Sequence, residues 1–323
     1  MKRMLSGVFI VIIAFSIGAF GGERILRMAT DHSSTYPTTV ALRHFADLVH
    51  ERTDGRYKID VYDSSQLGDE KAYLEQLQFG AIDFIKVSIP LLSEFSSPFK
   101  VLGFPYLFRS PEHMWRVLEG EIGDELMAGL DSANIVGLGW VDCGSRNFYS
   151  KQPIKTVADM DGMKVRVMQS SMMMAMVESL GAFPTAVAGS EIYSALQTGV
   201  VDAAENNINI YLDMSHFEIA KYFIWDRHNI LPETILCGKM TWQSFPAEDQ
   251  AIIRQCVQDA TAYQKKLWAE QEELSAKTLV ERGVTITNPT PEDIAQFREK
   301  CQAVYNKEGA AFADIFARID AVE

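Results

Sequence analysis

Cysteine is scarce in this chain of 323 residues, which contains only Cys143, Cys237, Cys256 and Cys301. No two of them are spaced as a CxxC pair, so the zinc and redox motifs built on that spacing are excluded. In an oxidising compartment one disulfide can form, and Cys256 with Cys301 is the candidate because both lie in C-terminal segments with a helical pattern. Buried free thiols are the alternative.

The sequence also lacks the signatures of common enzyme classes. Its six histidines form no HExxH or other metal-binding spacing. No GxSxG elbow, P-loop or dinucleotide-binding fingerprint is present. Carboxylates are plentiful, so counting them does not exclude a glycosidase-type pair. The sequence therefore predicts no metal and no cofactor, and it favours a protein that is not an enzyme.

Basic residues are outnumbered by acidic ones. Lysine and arginine total 30 against 43 aspartates and glutamates, which gives a net charge of -13. A nucleic-acid partner requires a basic footprint, so this balance argues against one. A small anionic ligand is still compatible with the composition, because a few buried cations are enough to bind it.

Long apolar runs are absent except at the N-terminus. Lys2 and Arg3 precede an apolar stretch from Val8 to Phe20, and small residues follow at 21 and 22. This is the pattern of a secretory signal peptide over residues 1–22, and the alternative is an uncleaved anchor. No cysteine ends the run, so lipidation is not expected. We therefore expect a periplasmic protein that is soluble once processed.

Strand-like and helix-like patterns alternate along the rest of the chain. Strands are predicted at 25–30, 57–62, 82–89, 134–141, 163–168 and 200–204. Helices are predicted at 36–53, 69–79, 111–130, 171–180 and 190–198. Such alternation is typical of an α/β fold with largely parallel strand pairing.

The C-terminal third has a different pattern. Between Pro246 and Gly283 there is no proline or glycine, and apolar residues recur near the helical period. A single helix there would be roughly 50 Å long, which exceeds the width of one lobe, so it could bridge two. Two shorter helices with a kink are the alternative. A last helix is predicted over 291–317.

Six stretches carry a resemblance to one known family. They are QLGDEK at 66–71, LEQL at 74–77, GAID at 80–83, PYLF at 105–108, DGMKVRV at 161–167 and EIYSALQTGVVD at 191–202. In this order and spacing, they resemble the extracytoplasmic solute receptors of tripartite ATP-independent periplasmic (TRAP) transporters. The resemblance covers essentially the whole chain after residue 22, and the part from 161 to 206 is the most specific.

This resemblance implies a two-lobed periplasmic-binding-protein fold of the α/β class, with ligand between the lobes. Residues 23–145 would form lobe I, to which about 231–270 return. Residues 146–230 would form lobe II, on which about 271–323 pack. A long helix at about 246–283 would span both lobes.

The same resemblance implies how the protein works. Its relatives close around a solute and deliver it to a permease with a small and a large integral membrane subunit, driven by an ion gradient. They are not enzymes, and most are monomers. A binding protein for another importer or for a sensor has the same binding chemistry and stays an alternative.

Two arginines and an asparagine are the first candidates for ligand binding. Arg166 interrupts an apolar predicted strand, where a charge is costly unless paired, and its planar fork matches a carboxylate. A structural salt bridge is the alternative, but the resemblance implies that Arg166 clamps the ligand carboxylate. It also implies that Arg146 lies near that carboxylate and that Asn206 contacts the ligand, although Arg146 could be a surface arginine and Asn206 a helix cap.

Six further residues complete the predicted site. Lys71 and Glu75 lie four apart on one predicted helix, so a surface ion pair would also explain them. Lys86 interrupts an apolar strand, and His32 follows the first strand. Asn207, beside Asn206, and Met168, at the end of the strand of Arg166, are also included.

The expected ligand is a hexuronate or related sugar acid. Relatives that bind sialic acid carry an aromatic residue at the position of Gly189, which argues against that ligand. Many hydrogen-bonding side chains around a carboxylate clamp suit a polyhydroxylated acid. A keto acid or dicarboxylate is the alternative, and a secreted carbohydrate-active enzyme is the remote one. The methionines at 172–174 and 176 favour core packing over a metal site.

Overall fold

A computed structural model of the protein describes residues 22–323. The predicted signal peptide therefore lies outside the described residues, apart from Gly22. Within 22–323, no helix is both long enough and apolar enough to cross a membrane. The chain folds around two β-sheets, and each of them carries its own helices.

The first sheet has five strands in the order β2-β1-β3-β11-β4. They are β1 (Arg24–Ala29), β2 (Tyr57–Tyr62), β3 (Phe84–Ser88), β4 (Ile135–Val141) and β11 (Glu233–Gly238). Strand β1 is parallel to β2 and β3, whereas β11 returns antiparallel between β3 and β4. Ile235 and Leu236 belong to separate hydrophobic clusters, so both faces of this sheet are covered.

The second sheet has seven strands, of which six run in the order β12-β9-β5-β8-β6-β7 and β10 pairs with β5. They are β5 (Ser145–Ser150), β6 (Lys164–Val167), β7 (Phe183–Ala186), β8 (Ala203–Asn206), β9 (Tyr222–Ile224), β10 (Asn229–Ile230) and β12 (Thr285–Thr287). Strand β6 is parallel to both neighbours, and β5 is antiparallel to β8. The predicted α/β class is confirmed.

We call each sheet with its packed helices a lobe, with the first sheet in lobe I. The helices of lobe I are α1 (Pro37–Arg52), α2 (Glu70–Gln78), α3 (Ile89–Phe95), α4 (Pro111–Leu118), α5 (Glu121–Gly129) and α9 (Lys239–Ser244). Those of lobe II are α6 (Ser171–Ser179), α7 (Ile192–Thr198) and α8 (Ile208–Asp213). Short 3-10 turns complete both lobes. The residue limits proposed for the lobes stay a prediction.

The predicted long helix is a single element, α10 (Ala247–Glu281), of 35 residues. It packs on α1 and β4 of lobe I and on α8 of lobe II. At 1.5 Å per residue it is about 50 Å long, so a single helix spans both lobes, as predicted.

The helix predicted over 111–130 is wrong as one element, because the chain turns at Glu119 and Gly120 between α4 and α5. A Cβ at Gly123 would lie 1.9 Å from the carbonyl oxygen of Leu118, so only glycine fits the close approach of the two helices.

The last predicted helix is also divided. Helix α11 (Pro291–Glu308) ends at Gly309, and α12 (Ala313–Asp320) follows a 3-10 turn. Helix α11 packs on α6 in lobe II. Ile319 of α12, however, is buried in the core of lobe I, and Arg318 pairs with Glu125 there. The end of the segment that was predicted to pack on lobe II, about 271–323, thus contacts lobe I as well.

All four cysteines are buried and free, so the Cys256–Cys301 pairing is wrong. The reason is topological: Cys256 packs in a core cluster of lobe I, and Cys301 packs in that of lobe II. Met172, Met173 and Met176 are buried in the lobe II core, which confirms that the methionine run serves packing.

Candidate ligand-binding cleft

A group of charged side chains lines a cleft between the two sheets. Lobe I contributes the loop after β1, the start of α2 and the first residue of β11. Lobe II contributes β5, β6, the end of β8 and the loop after β7. The empty space between the lobes is about 790 Å³, counting the part that opens to solvent.

Arg166 is held in the wall of this cleft by strand β6. Its neighbours Val165 and Val167 are fully buried, and Arg166 itself is 2% exposed. Its Nε donates to the carbonyl oxygen of Val187 at 2.8 Å, and neither Nη atom has a hydrogen-bond partner within residues 22–323. Burial lowers the pKa of Arg166 from its usual value, partly offset by Glu205. The site therefore contains a buried guanidinium whose two Nη groups can bind a ligand.

Arg146 has a different environment, although it also lines the cleft from β5. Glu205 on β8 accepts from both Nε and Nη2, at 2.9 Å for the Nη2 contact, and Asn206 Oδ1 accepts from Nη1 at 3.2 Å. Four of its five donors are occupied once the Glu205 carbonyl is included, so at most one N–H is free for a ligand.

Glu205 is the centre of a buried ionic chain. Besides Arg146, it lies 3.5 Å from His228 Nε2, and His228 Nδ1 contacts Asp226 at 2.7 Å. Burial alone would lower the pKa of His228, but Asp226 and Glu205 outweigh it and raise the pKa to about 8. Burial would raise the pKa of Glu205, but Arg146 outweighs it and holds the pKa at about 2. The positive charges of Arg146 and His228 therefore balance the negative charges of Glu205 and Asp226.

The two asparagines differ in what they offer. Asn206 Oδ1 accepts from Arg146 and from the backbone N–H of Asn207, which leaves its Nδ2 without a partner in the described chain. Asn207 caps α8 by accepting from Ile210 N at 2.8 Å, and its Nδ2 contacts Tyr36 and Cys143. Asn206 therefore has a free donor, whereas Asn207 is occupied by capping.

Lys86 is enclosed beneath the cleft by carboxylates. It is fully buried on β3, and its Nζ donates to Asp31 at 2.6 Å, Glu233 at 2.9 Å and Glu70 at 3.2 Å. Burial opposes the charge, but these carboxylates outweigh it and raise the pKa of Lys86 well above its usual value. An ammonium has three donors, and here they are shared among three carboxylates and the ring of His32, so Lys86 has none to spare for a ligand, and it does not line the cleft.

His32 lies over this cluster and faces the cleft. Its Nε2 is 3.3 Å from Lys86 Nζ, which can only donate, so Nε2 accepts and Nδ1 carries the hydrogen. Nδ1 is buried and has no partner in the described chain. Burial and the nearby Lys86 lower the pKa of His32 to about 3, so the ring is neutral.

The remaining predicted residues lie at the rim or outside. Lys71 lines the cleft from the first turn of α2 and is exposed, and Met168 lines it just after β6. Glu75 is exposed one turn further along α2 and does not line the cleft. A Cβ at Gly189 would lie 3.7 Å from Asp31 Oδ2, so a large side chain there would fill space between the lobes.

Sequence reasoning missed Glu233, Asp31 and Glu70. Glu70 begins α2 and binds Ser88 through both carboxylate oxygens. Glu233 begins an otherwise apolar strand, which is the same signal that identified Arg166. Asp31 is next to His32 and Glu70 is next to Lys71, which were both predicted as site residues. Nothing in the local sequence, however, indicates that Asp31, Glu70 and Glu233 surround Lys86.

The cleft therefore has two walls of different character. Lobe II offers the free edge of Arg166 and the amide of Asn206, which together suit an anionic oxygen. Lobe I offers the Nδ1 donor of His32 and carboxylate acceptors, which suit hydroxyl groups. Within 22–323, no group of three or more His, Cys, Asp or Glu side chains is arranged to hold a metal ion.

Two α/β lobes, a helix across both and a polar cleft between them define a class of protein, the two-lobed solute-binding receptors. A sequence profile described as "Bacterial extracellular solute-binding protein, family 7" matches residues 28–311. The chain belongs to this family, which confirms the predicted resemblance.

Individual relatives agree with this assignment. A solute-binding protein of Chromohalobacter salexigens is 35% identical over 277 residues, covering 85% of this chain and 82% of the relative. A TRAP periplasmic solute-binding protein of Xanthobacter autotrophicus, solved with bound β-D-galacturonate, is 34% identical with a TM-score of 0.89, covering 92% of this chain and all of that one. One of Pseudomonas putida F1, solved with D-glucuronate, is 33% identical with a TM-score of 0.90, covering 93% and 98%.

Proposed function

We propose that this protein is a periplasmic receptor that binds a hexuronate in the cleft between its lobes and delivers it to a TRAP permease. The observation that carries the proposal is the guanidinium of Arg166, which is buried with the outer edge of its fork unused. A buried charge without a partner is costly, and a bidentate carboxylate supplies the partner that the protein does not.

The choice of a sugar acid rests on the lobe I wall. A plain dicarboxylate needs cations at both ends, but of the two lobe I lysines in the predicted site Lys71 lies exposed at the rim and Lys86 is already bound by three carboxylates. The groups that remain near it, His32 and Glu233, are suited to hydroxyls. Solved relatives at 33–34% identity contain galacturonate or glucuronate, which supports the same ligand class.

The membrane partners follow from the family. We propose that the closed, liganded form docks as a monomer on the small and large integral subunits of a TRAP permease, and that no turnover of the sugar acid occurs. The family description as extracellular supports export, and the periplasm is the compartment in which such a receptor meets its permease.

Isothermal titration with D-glucuronate, D-galacturonate, succinate and a neutral hexose tests the ligand class. We expect binding of at least one hexuronate and none of the hexose. Arg166→Ala leaves the ligand carboxylate without its charged partner. The variant should therefore bind the hexuronate more weakly by about 2–5 kcal/mol, which is roughly 30-fold to several thousand-fold in the dissociation constant.

The matched control is Arg116→Ala, because Arg116 is exposed on α4 and lies outside the cleft. Its affinity should equal that of the wild type. Tighter binding of succinate than of any hexuronate would overturn the ligand class, and full hexuronate affinity in Arg166→Ala would overturn the role of Arg166 as anchor.

A further inference from the structure

Glu233 is a buried carboxyl group in the cleft that neither the clamp around Arg166 nor the ionic chain around Glu205 uses. It is the first residue of β11, which lies between β3 and β4, and it is 3% exposed. Its position in the lobe I wall puts it opposite the strands that present Arg166 and Asn206.

The two oxygens of Glu233 have unequal surroundings. Oε1 accepts from Lys86 Nζ at 2.9 Å and lies 3.5 Å from His32 Nε2. Oε2 is buried and has no hydrogen-bond partner within residues 22–323. A buried carboxylate oxygen without a donor is costly, whereas a protonated one becomes a donor that a ligand oxygen can satisfy.

The charges around Glu233 favour the protonated form. Three carboxylates, those of Asp31, Glu70 and Glu233, share the single ammonium of Lys86, and His32 is neutral. If all three were ionised, the cluster would carry a net charge of about -2, which one proton on Glu233 reduces to about -1.

The other titratable groups that face Glu233 do not offset this excess of negative charge. Tyr36, Tyr73 and Cys143 are buried, and their pKa values are raised, so they stay neutral. Arg146 is already paired with Glu205. Burial is the main cause that raises the pKa of Glu233 to about 7, with Glu70 and Asp31 adding to it and Lys86 opposing it.

A uronate brings both a negative charge and hydroxyl oxygens into this cleft. The charge pairs with Arg166 in lobe II, and a hydroxyl oxygen can accept the hydrogen that a protonated Oε2 carries, so binding stabilises the protonated form and favours proton uptake. We propose that Glu233 is a specificity-determining residue that binds the sugar acid in its protonated form, by donating from Oε2 to a ligand hydroxyl, so that ligand binding takes up a proton.

This inference rests on the proposed function, because it requires an anionic ligand with hydroxyl groups. It goes beyond a carboxylate clamp by predicting that affinity depends on pH. Below pH 7, Glu233 is already protonated in the free protein and no proton is taken up. Above pH 7, the free protein must first gain the proton, so the dissociation constant should rise by up to tenfold per pH unit.

The test is titration calorimetry at pH 8 with the hexuronate that binds, in several buffers of different ionisation enthalpy. The slope of the observed enthalpy against buffer ionisation enthalpy gives the number of protons taken up. We expect wild type to take up about one proton more than Glu233→Gln. Both proteins retain His228, which titrates in the same range, so the difference isolates Glu233.

Glu51→Gln is the matched control, because Glu51 is exposed on α1 and outside the cleft, and its proton uptake should equal that of the wild type. An infrared difference spectrum of wild type at pH 8 gives a readout that needs no variant: ligand should add a protonated-carboxyl band and remove a carboxylate band. Equal uptake in Glu233→Gln and wild type, or no new protonated-carboxyl band, overturns the proposal. Failure of wild type to bind any hexuronate instead overturns the proposed function.

Discussion

At the scale of single residues, Arg146 and Arg166 illustrate how topology decides the use of a charge. Strand β8 lies between their strands, and it presents Glu205 to Arg146. Among residues 22–323, the side chain of Arg166 hydrogen-bonds only to a backbone carbonyl from the loop after β7. Two arginines with similar local sequence signals therefore differ: one is paired by the protein, and the other is available to a ligand.

The same topology explains which site residues could be predicted. Arg166 stands out because a charge interrupts an apolar strand, and a resemblance to a known family adds its role. The cluster around Lys86 could not be predicted, because Asp31, Glu70 and Glu233 come from three distant elements. Their meeting depends on β11 returning between β3 and β4 about 145 residues after β3, as the register of Glu233 with Ser88 shows.

The pKa of His228 predicts a fall in stability at mildly alkaline pH. Because the folded protein holds this proton more tightly than the unfolded chain, the stabilisation is complete below pH 6.5 and is lost as pH rises through about 8. The loss should be about 2 kcal/mol. Urea unfolding of the mature protein between pH 7 and 9 should record about 1 kcal/mol of this loss, and comparison with His228→Asn removes the smaller contribution of Glu233, whose pKa is about 7.

His228→Asn should abolish most of this change of the free energy of unfolding with pH, whatever its effect on the absolute stability. His44→Asn is the control, since His44 is half-buried on α1 beside Tyr263 and outside the ionic chain. A His228→Asn protein with the same dependence on pH as the wild type would assign the slope to another group.

At the scale of elements, each strand or helix that was predicted has the right identity, but the ends of several are displaced, and β5, β7, β9 to β12, α3, α8 and α9 were not predicted. The long run without glycine or proline predicted α10 closely. Glycines inside apolar patterns were the weak point, since Gly120 and Gly309 each end a helix that periodicity alone continues. Periodicity reports which residues face the core, and it does not report where the chain must turn.

Helix α10 also fixes the segment that leaves lobe I between β4 and β5. Gln264 is fully buried on α10, and its amide accepts from Asp142 N and donates to Asp142 O, both at 2.9 Å. Gln264→Leu removes both bonds, and it should lower the free energy of unfolding by about 1–3 kcal/mol. Urea unfolding checks this value.

Gln255→Leu provides the comparison on the same helix, because Gln255 is exposed and contacts only Asp259. Its effect should stay within about 0.5 kcal/mol. If the two variants lost equal stability, the hydrogen bonds to Asp142 would not be the cause of the loss in Gln264→Leu.

At the scale of the whole molecule, the lobes are linked by short segments and by helices that lie across both. Residues 142–144 join β4 to β5, and residues 231–232 join β10 to β11. Gly144 has φ +62°, and a Cβ there would lie 3.0 Å from Trp268 of α10, so this crossing is tightly held against the helix. The two-lobed design could be predicted from resemblance to a family, but the return of α12 to lobe I could not, because an apolar helix face shows that the helix is covered and does not show which lobe covers it.

Ligand should close the cleft, because only closure brings the lobe I wall and Arg166 onto the same molecule. In the open state, water solvates Arg166, and a bridging uronate replaces that water and favours the closed state. Small-angle scattering of the mature protein should therefore show a smaller radius of gyration with saturating hexuronate. Arg166→Ala should show no change at the same concentration, whereas Arg116→Ala should compact like the wild type. A liganded wild type with an unchanged radius would mean that the cleft binds without closing, and that the permease recognises a feature other than compaction.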